Sequence, residues 1–230
     1  MNKRDFVEKI NGKMIISCQA VGSEPLNDTN AITLMAESVI QGGAEFLRIS
    51  QYDHIKSIKN KFKNIPSIGL IKKIYKNSEV FITPTKIEID KLLSLNIECI
   101  ALDGTTRKRP CDNLEELVNY IRIKNPEIAI MTDCSNIEDV VYCNKLKVDL
   151  IGTTLRGYTK DTINKSNIDE NYSFVKECLN VGEIPIIAEG GIWEPFQVRE
   201  LLEIGCHSVV GSAITRPKEI TRKFMKELSS

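Results

Sequence analysis

Histidine is nearly absent from this chain: His54 and His207 are the only two in 230 residues. Neither directly follows a predicted strand, and His207 stands ahead of the last one. A histidine-rich metal centre is therefore not expected, and no cofactor is signalled. Cysteine is present but unorganised. The seven, at positions 18, 99, 111, 134, 143, 178 and 206, form no C-x-x-C pair. Their odd number and scatter point to reduced thiols, not a disulfide framework. Cys18 and Cys134 fall near strand ends, but no histidine is placed to activate them, which leaves them as small buried fillers. No run is long and apolar enough to span a bilayer. The stretch from Met1 to Lys13 is polar and lacks an apolar signal core. A cytoplasmic protein with no membrane partner is expected. Charge of one sign is not in surplus either: Lys plus Arg and Asp plus Glu are 31 each, which argues against a nucleic-acid partner. No Walker-type loop occurs, and no G-x-G-x-x-G follows the first strand.

What the chain does have is alternation. Short apolar runs rich in Ile, Val and Leu predict strands at 14–19, 44–49, 67–70, 99–102, 128–133, 150–153, 185–189 and 208–211. They show little internal alternation, as strands buried on both faces do. Between them, apolar spacing near 3.6 predicts helices at 30–41, 53–63, 86–95, 114–124, 137–146, 169–180, 195–204 and 217–228. Start and stop signals agree. Thr85 and Asn136 stand where caps are wanted, Pro195 occupies a first turn, and Gly42-Gly43 and Gly205 follow helices. Eight strand–helix units in series imply a parallel sheet, and eight close naturally into a (β/α)8 TIM barrel. A doubly wound open sheet is the alternative that periodicity leaves open. No linker interrupts the chain, so residues 1–230 read as one domain. The stretch from Gly157 to Asn167 reads as a polar, structureless loop or lid.

In such a barrel the chemistry sits where strands run out into loops. Those positions carry Gln19, Arg48, Lys72, Asp103, Asp133, Thr153-Thr154, Glu189 and Gly211-Ser212. Convergence of so many polar groups on one mouth points to a site. Lys72 is the candidate acid/base, given burial or a neighbouring cation to lower its pKa; Lys73 follows it at once, and only one of the two need face the pocket. Glu189 and Asp133 are the candidate carboxylates, with an ion pair to Arg48 or Lys72 as their structural alternative. Gly190-Gly191 after the seventh strand, and Gly211-Ser212 with Arg216 after the eighth, have the makings of a phosphate cradle: close backbone approach, a short helix start and a bidentate cation.

At these residues the chain resembles the N-acetylmannosamine-6-phosphate 2-epimerases. The likeness is carried by Ile16-Ser17-Cys18-Gln19-Ala20 with Glu24-Pro25-Leu26, Ile68-Gly69-Leu70-Ile71-Lys72 and Ile82-Thr83-Pro84-Thr85. Ala101 to Thr105 with Arg107 and Arg109-Pro110 continues it, followed by Thr153-Thr154-Leu155 with Gly157-Tyr158-Thr159, Ala188-Glu189-Gly190, and Gly211 to Pro217. Each motif is weak alone; seven in order are strong. The resemblance implies a cofactor-independent isomerase acting on a phosphorylated amino sugar. It implies that Lys72 moves the C2 proton, with Glu189 beside it. It also implies that Gln19, Arg48, Asp133 and Glu189 bind and orient the sugar, to which the strand-end position adds Thr153 as a candidate, and that Gly190, Gly191, Gly211, Ser212 and Arg216 hold its phosphate. A homodimer is compatible with it. Two departures stand out. Ile49-Ser50-Gln51 follows Arg48 where the family commonly has a small residue and then Gln/Asn-Gly, and Gly191 stands where many relatives carry Arg or Lys. Another phosphosugar isomerase or aldolase of the same barrel class, and a non-catalytic sugar-phosphate sensor, are the alternative readings.

Overall fold

A computed structural model describes residues 1–228. Eight parallel strands close in sequence order: β1 (Met14–Cys18), β2 (Phe46–Ser50), β3 (Ser67–Leu70), β4 (Cys99–Asp103), β5 (Ala129–Asp133), β6 (Leu150–Gly152), β7 (Ile186–Glu189) and β8 (His207–Val210). β1 pairs with β8, which completes the (β/α)8 barrel. Helices α1 (Lys3–Lys9), α2 (Thr29–Gln41), α3 (Tyr52–Lys61), α4 (Lys86–Leu93) and α5 (Leu114–Lys124) cover the first half. They are followed by α6 (Ile137–Lys145), α7 (Asp169–Leu179), α8 (Pro195–Glu203), α9 (Ser212–Thr215) and α10 (Pro217–Glu227). Thr85, Asn113 and Asn136 cap α4, α5 and α6, each in a reciprocal box with an acid three residues on.

Why the strands lack alternation is now plain. Successive residues enter two different cores. Ile15, Phe46, Ile68, Leu70, Ala129, Met131, Ile187 and Val209 form one cluster inside the barrel. Ile16, Leu47, Ile49, Ile100, Ile130, Ile151 and Val210 belong to the other, shared with helix residues such as Ile32, Ile55 and Leu117. Both phases are apolar because both faces are covered.

Strand and helix ends shift by one or two residues from expectation, as fraying ends do. Four other differences go beyond the ends. The polar N-terminal stretch contains α1, whose Phe6, with Ile10 just past its end, is fully buried in the barrel-interior cluster. Phe6 meets Phe46 edge-on at a centroid distance of 6.0 Å. One buried residue in a charged seven-residue helix and a second just beyond it are too faint a pattern to detect. Residues 157–167 are not structureless: they contain a 3-10 turn at Lys160–Thr162, and the Gly157 N–H donates to Thr162 Oγ1 at 3.1 Å. α7 opens with three left-handed residues, Glu170, Asn171 and Tyr172, at φ 47°, 55° and 63°. His207 belongs to β8 instead of preceding it, although it still lies at the end remote from the polar mouth.

Candidate active site

The two-residue period of the strands decides which polar groups enter the barrel mouth. Arg48 continues the inward phase of Phe46, Lys72 that of Ile68 and Leu70, Asp133 that of Met131, and Glu189 that of Ile187. The same rule separates adjacent candidates. Lys72 lies on the inward phase and is half-buried; Lys73 lies off it and is exposed, although it also borders the cavity described next. Thr154, in phase with Leu150 and Gly152, faces the cavity. Thr153 does not: its hydroxyl accepts the Glu189 backbone N–H at 3.3 Å and is fully buried. The expectation that Thr153 faces the cavity is therefore corrected: Thr154 lines it and Thr153 does not.

A cavity of about 770 Å³ opens at this mouth, lined by Gln19, Arg48, Gln51, Lys72, Thr154, Glu189 and Arg216 among others. Beneath it lies a buried charge cluster. Arg48, 1% exposed, donates from Nη2 to Asp133 Oδ2 at 2.6 Å. Its Nε stands 3.0 Å from Glu189 Oε2 but is not aligned as a hydrogen-bond donor, so that pair is chiefly Coulombic. Thr154 Oγ1 bridges the acids, 2.6 Å from Asp133 Oδ1 and 3.1 Å from Glu189 Oε2. Asp133 does not line the cavity; it lies fully buried behind Arg48 and acts on it. A carboxylate here compensates a guanidinium that would otherwise be buried alone at high cost.

Burial also tunes the two groups that do face the cavity. Desolvation pushes the Lys72 amine below the ordinary lysine value; Arg48 and Arg216 push the same way, against opposition from Glu189 and Asp133. Desolvation raises Glu189 above the usual carboxylate range, with Asp133 adding to it and Arg48 and Lys72 opposing. The pair thus sits in one pocket with proton affinities drawn towards one another, as proton-transfer groups require.

The last two turns adjoin a second cavity of about 510 Å³ that includes Gly190, Gly191, Gly211, Ser212 and Arg216. Gly190 and Gly191 adopt φ 99° and 79°. A Cβ at Gly191 would stand 2.5 Å from Ser166 Oγ, so a side chain at this position would displace the Ser166 hydroxyl. Arg216 Nη1 is 3.6 Å from Glu24 Oε1, a half-exposed pair that leaves the guanidinium able to reorient. Gln19 is 6% exposed; its Nε2 donates to Ser17 Oγ at 2.9 Å and its Oε1 has no partner.

Sequence reasoning missed Asn167, which donates from Nδ2 to Glu189 O at 2.7 Å and Gly190 O at 3.1 Å. No spacing rule links a loop amide to a turn 22 residues on. Asp103, noted at a strand end, is held by Arg107 at 2.9 Å and by Thr105, and lines neither cavity.

A closed parallel barrel with a desolvated lysine, a buried arginine–carboxylate cluster and a glycine-lined turn at its C-terminal mouth defines a TIM-barrel protein with an acid–base site. The comparisons narrow this. The model of the family described as "Putative N-acetylmannosamine-6-phosphate epimerase" matches residues 32–230. A "Putative N-acetylmannosamine-6-phosphate 2-epimerase" of Malacoplasma penetrans is 58% identical over 226 residues, 98% of each chain. One of the same description from Mycoplasma mycoides is 54% identical over 213 residues, 92% of this chain and 94% of that one. The solved N-acetylmannosamine-6-phosphate 2-epimerase of Clostridium perfringens superposes with a TM-score of 0.91 at 38% identity, covering 96% of both chains. The chain belongs to the N-acetylmannosamine-6-phosphate epimerase family.

Proposed function

We propose that this protein is an isomerase that inverts C2 of N-acetylmannosamine 6-phosphate to give N-acetylglucosamine 6-phosphate, in the breakdown of sialic acids and amino sugars, with Lys72 and Glu189 as its proton-handling groups. The observation that carries the residue assignment is the shared cavity of Lys72, Arg48 and Glu189. In the open-chain sugar the C1 aldehyde acidifies the C2 proton. Lys72, whose proton affinity burial and the neighbouring arginines lower, takes that proton in its unprotonated form. The C2–H bonding pair becomes the C1=C2 bond of an enolate, and charge moves to the C1 oxygen. Positive charge on Lys72 and Arg48 stabilises that oxygen, an effect worth on the order of a few kcal/mol. Return of a proton to the opposite face completes the inversion. Glu189, whose proton affinity burial raises, is the second group able to hold a proton there.

Gln19 and Thr154 offer polar contacts to the sugar, and Asp133 fixes Arg48 from behind. Gly190, Gly191, Gly211, Ser212 and Arg216 surround the place where the phosphate binds. α9 has only four residues, so the anion contact rests on separate backbone N–H groups and on Arg216, with little help from a helix dipole.

The whole chain, 1–230, acts in this reading as one domain; its last two positions lie outside the described residues. No described helix is long and apolar enough to cross a membrane, and a cytoplasmic setting fits a phosphosugar substrate. A homodimer is compatible with the reading and is checked by sedimentation. Incubation with N-acetylmannosamine 6-phosphate in deuterated water tests the function: epimerisation with deuterium at C2 supports it, and tight binding without exchange identifies a sensor instead.

A further inference from the structure

Two non-glycine residues with positive φ flank Lys72, one on each side of its backbone. Gln51 has φ 73° and ψ 137°, and Thr83 has φ 43°. Such geometry is uncommon for any side chain and a marked outlier for a β-branched one. Strain of this kind persists only where the surroundings over-determine it, and it gathers at sites where geometry matters.

Each outlier is tied to the lysine segment. β3 ends at Leu70, whose carbonyl accepts the Gln51 N–H at 2.9 Å. Beyond that point no strand remains to pair with Lys72 on this side, and the Gln51 side chain takes over. Its Oε1 accepts the Lys72 N–H at 2.9 Å, and its Nε2 donates to the Lys72 carbonyl at 3.3 Å. The amide imitates one more residue of β2 and satisfies both backbone groups of Lys72. On the other edge Lys72 forms an antiparallel bridge with Ile82. The Lys73 N–H donates to Phe81 O at 2.9 Å, and the Thr83 N–H donates to Ile71 O at 2.8 Å. The Thr83 hydroxyl accepts the Ile71 N–H at 3.2 Å. Thr83 is fully buried, and Gln51 half-buried at the cavity wall.

We propose that Gln51 and Thr83 are positioning residues: a two-sided clamp that extends the barrel wall past β3 and fixes the backbone from which the Lys72 amine enters the cavity. The inference rests on the reading of Lys72 as the proton-moving group. Its physical basis is that a side chain projecting from an unpaired loop samples many directions, whereas one projecting from a paired segment samples few. Misplacement of a reacting group by about 1 Å costs on the order of 100-fold in rate.

The test uses Gln51→Gly. Glycine adopts φ 73° without strain, which offsets part of the loss of the two side-chain hydrogen bonds, so the fold should be retained with at most a modest fall in melting temperature. The clamp predicts a fall in kcat of about 10–100-fold with little change in KM, and an ascending limb of the pH–rate profile moved towards higher pH as water reaches the amine. Thr83→Val, which keeps shape but removes the acceptor for Ile71, should lower kcat likewise, and Thr83→Ser should restore it. A readout without turnover separates the clamp from the catalytic assignment: the pH dependence of reductive methylation of Lys72 by formaldehyde, followed by mass spectrometry. Methylation moved to higher pH in Gln51→Gly supports the clamp whether or not Lys72 proves to be the base. Unchanged kcat and an unchanged methylation profile in a folded Gln51→Gly protein would overturn it. Full C2 exchange by Lys72→Ala would instead overturn the catalytic reading alone.

Discussion

The two ends of this barrel solve opposite problems with the same strands. At the N-terminal end, α1 closes the interior with Phe6 and Ile10 against Ile15 and Phe46, and the charges nearby, such as Arg122 with Asp149 at 2.7 Å, stay partly in water. At the C-terminal end the inward positions are Arg48, Asp133, Lys72 and Glu189. Arg48 and Asp133 are as buried as any core residue. Apolar closure stabilises without directing anything. Buried charge contributes little net stability, because desolvation offsets attraction, yet it sets proton affinities and fixes where groups point. The cost of the second arrangement is tolerated at the end where loops can bind a ligand.

The contrast can be broken most severely at Lys72. Lys72→Ala should reduce C2 deuterium exchange by about 10²–10⁴-fold, the usual range for removing an acid or base, with the melting temperature unchanged or raised. Loss of fold instead of activity would make that residue structural. Arg48→Met comes next. It strands Asp133 and Glu189 without their cation, and should cost about 3–5 kcal/mol in denaturant unfolding. The double change Arg48→Met with Asp133→Leu should recover much of that stability but no activity. At the opposite end, Phe6→Ala should cost about 3 kcal/mol through the cavity it leaves, while the folded fraction turns over at the parental rate. Arg216→Ala should raise KM by about tenfold, matching one charge-assisted hydrogen bond of roughly 1.5 kcal/mol, with a smaller effect on kcat. The smallest contrast separates neighbours: Thr154→Val should slow exchange, whereas Thr153→Val should act on stability alone.

Much of this was legible before any coordinates. The sum of eight apolar runs and eight amphipathic stretches determines the barrel, because each unit can bury its faces only against its neighbours. The strand-end rule then locates Arg48, Lys72, Asp133 and Glu189. Finer placement depends on phase, and phase is lost where both strand faces are apolar. The sequence therefore does not distinguish Thr153 from Thr154; in the fold β6 ends at Gly152, with Thr154 on the inward side. Sequence does not reveal depth: of the two readings open for Asp133, sugar contact by resemblance and an ion pair with Arg48, the geometry shows the second, one layer below the cavity. Asn167 and the Gln51 clamp were invisible for another reason. Both are loop side chains that bond backbone groups about 20 residues away, and such contacts leave no periodic trace.

The pH dependence of kcat/KM for C2 exchange bears most directly on the claim that a desolvated Lys72 is the base. A base must be unprotonated, so rate rises with pH through the pKa of the group. Burial and the neighbouring arginines lower that of Lys72, and the ascending limb should lie clearly below the ordinary lysine value of 10.5 and vanish in Lys72→Ala. A limb at the ordinary value, or one that persists unchanged in the variant, would contradict the account.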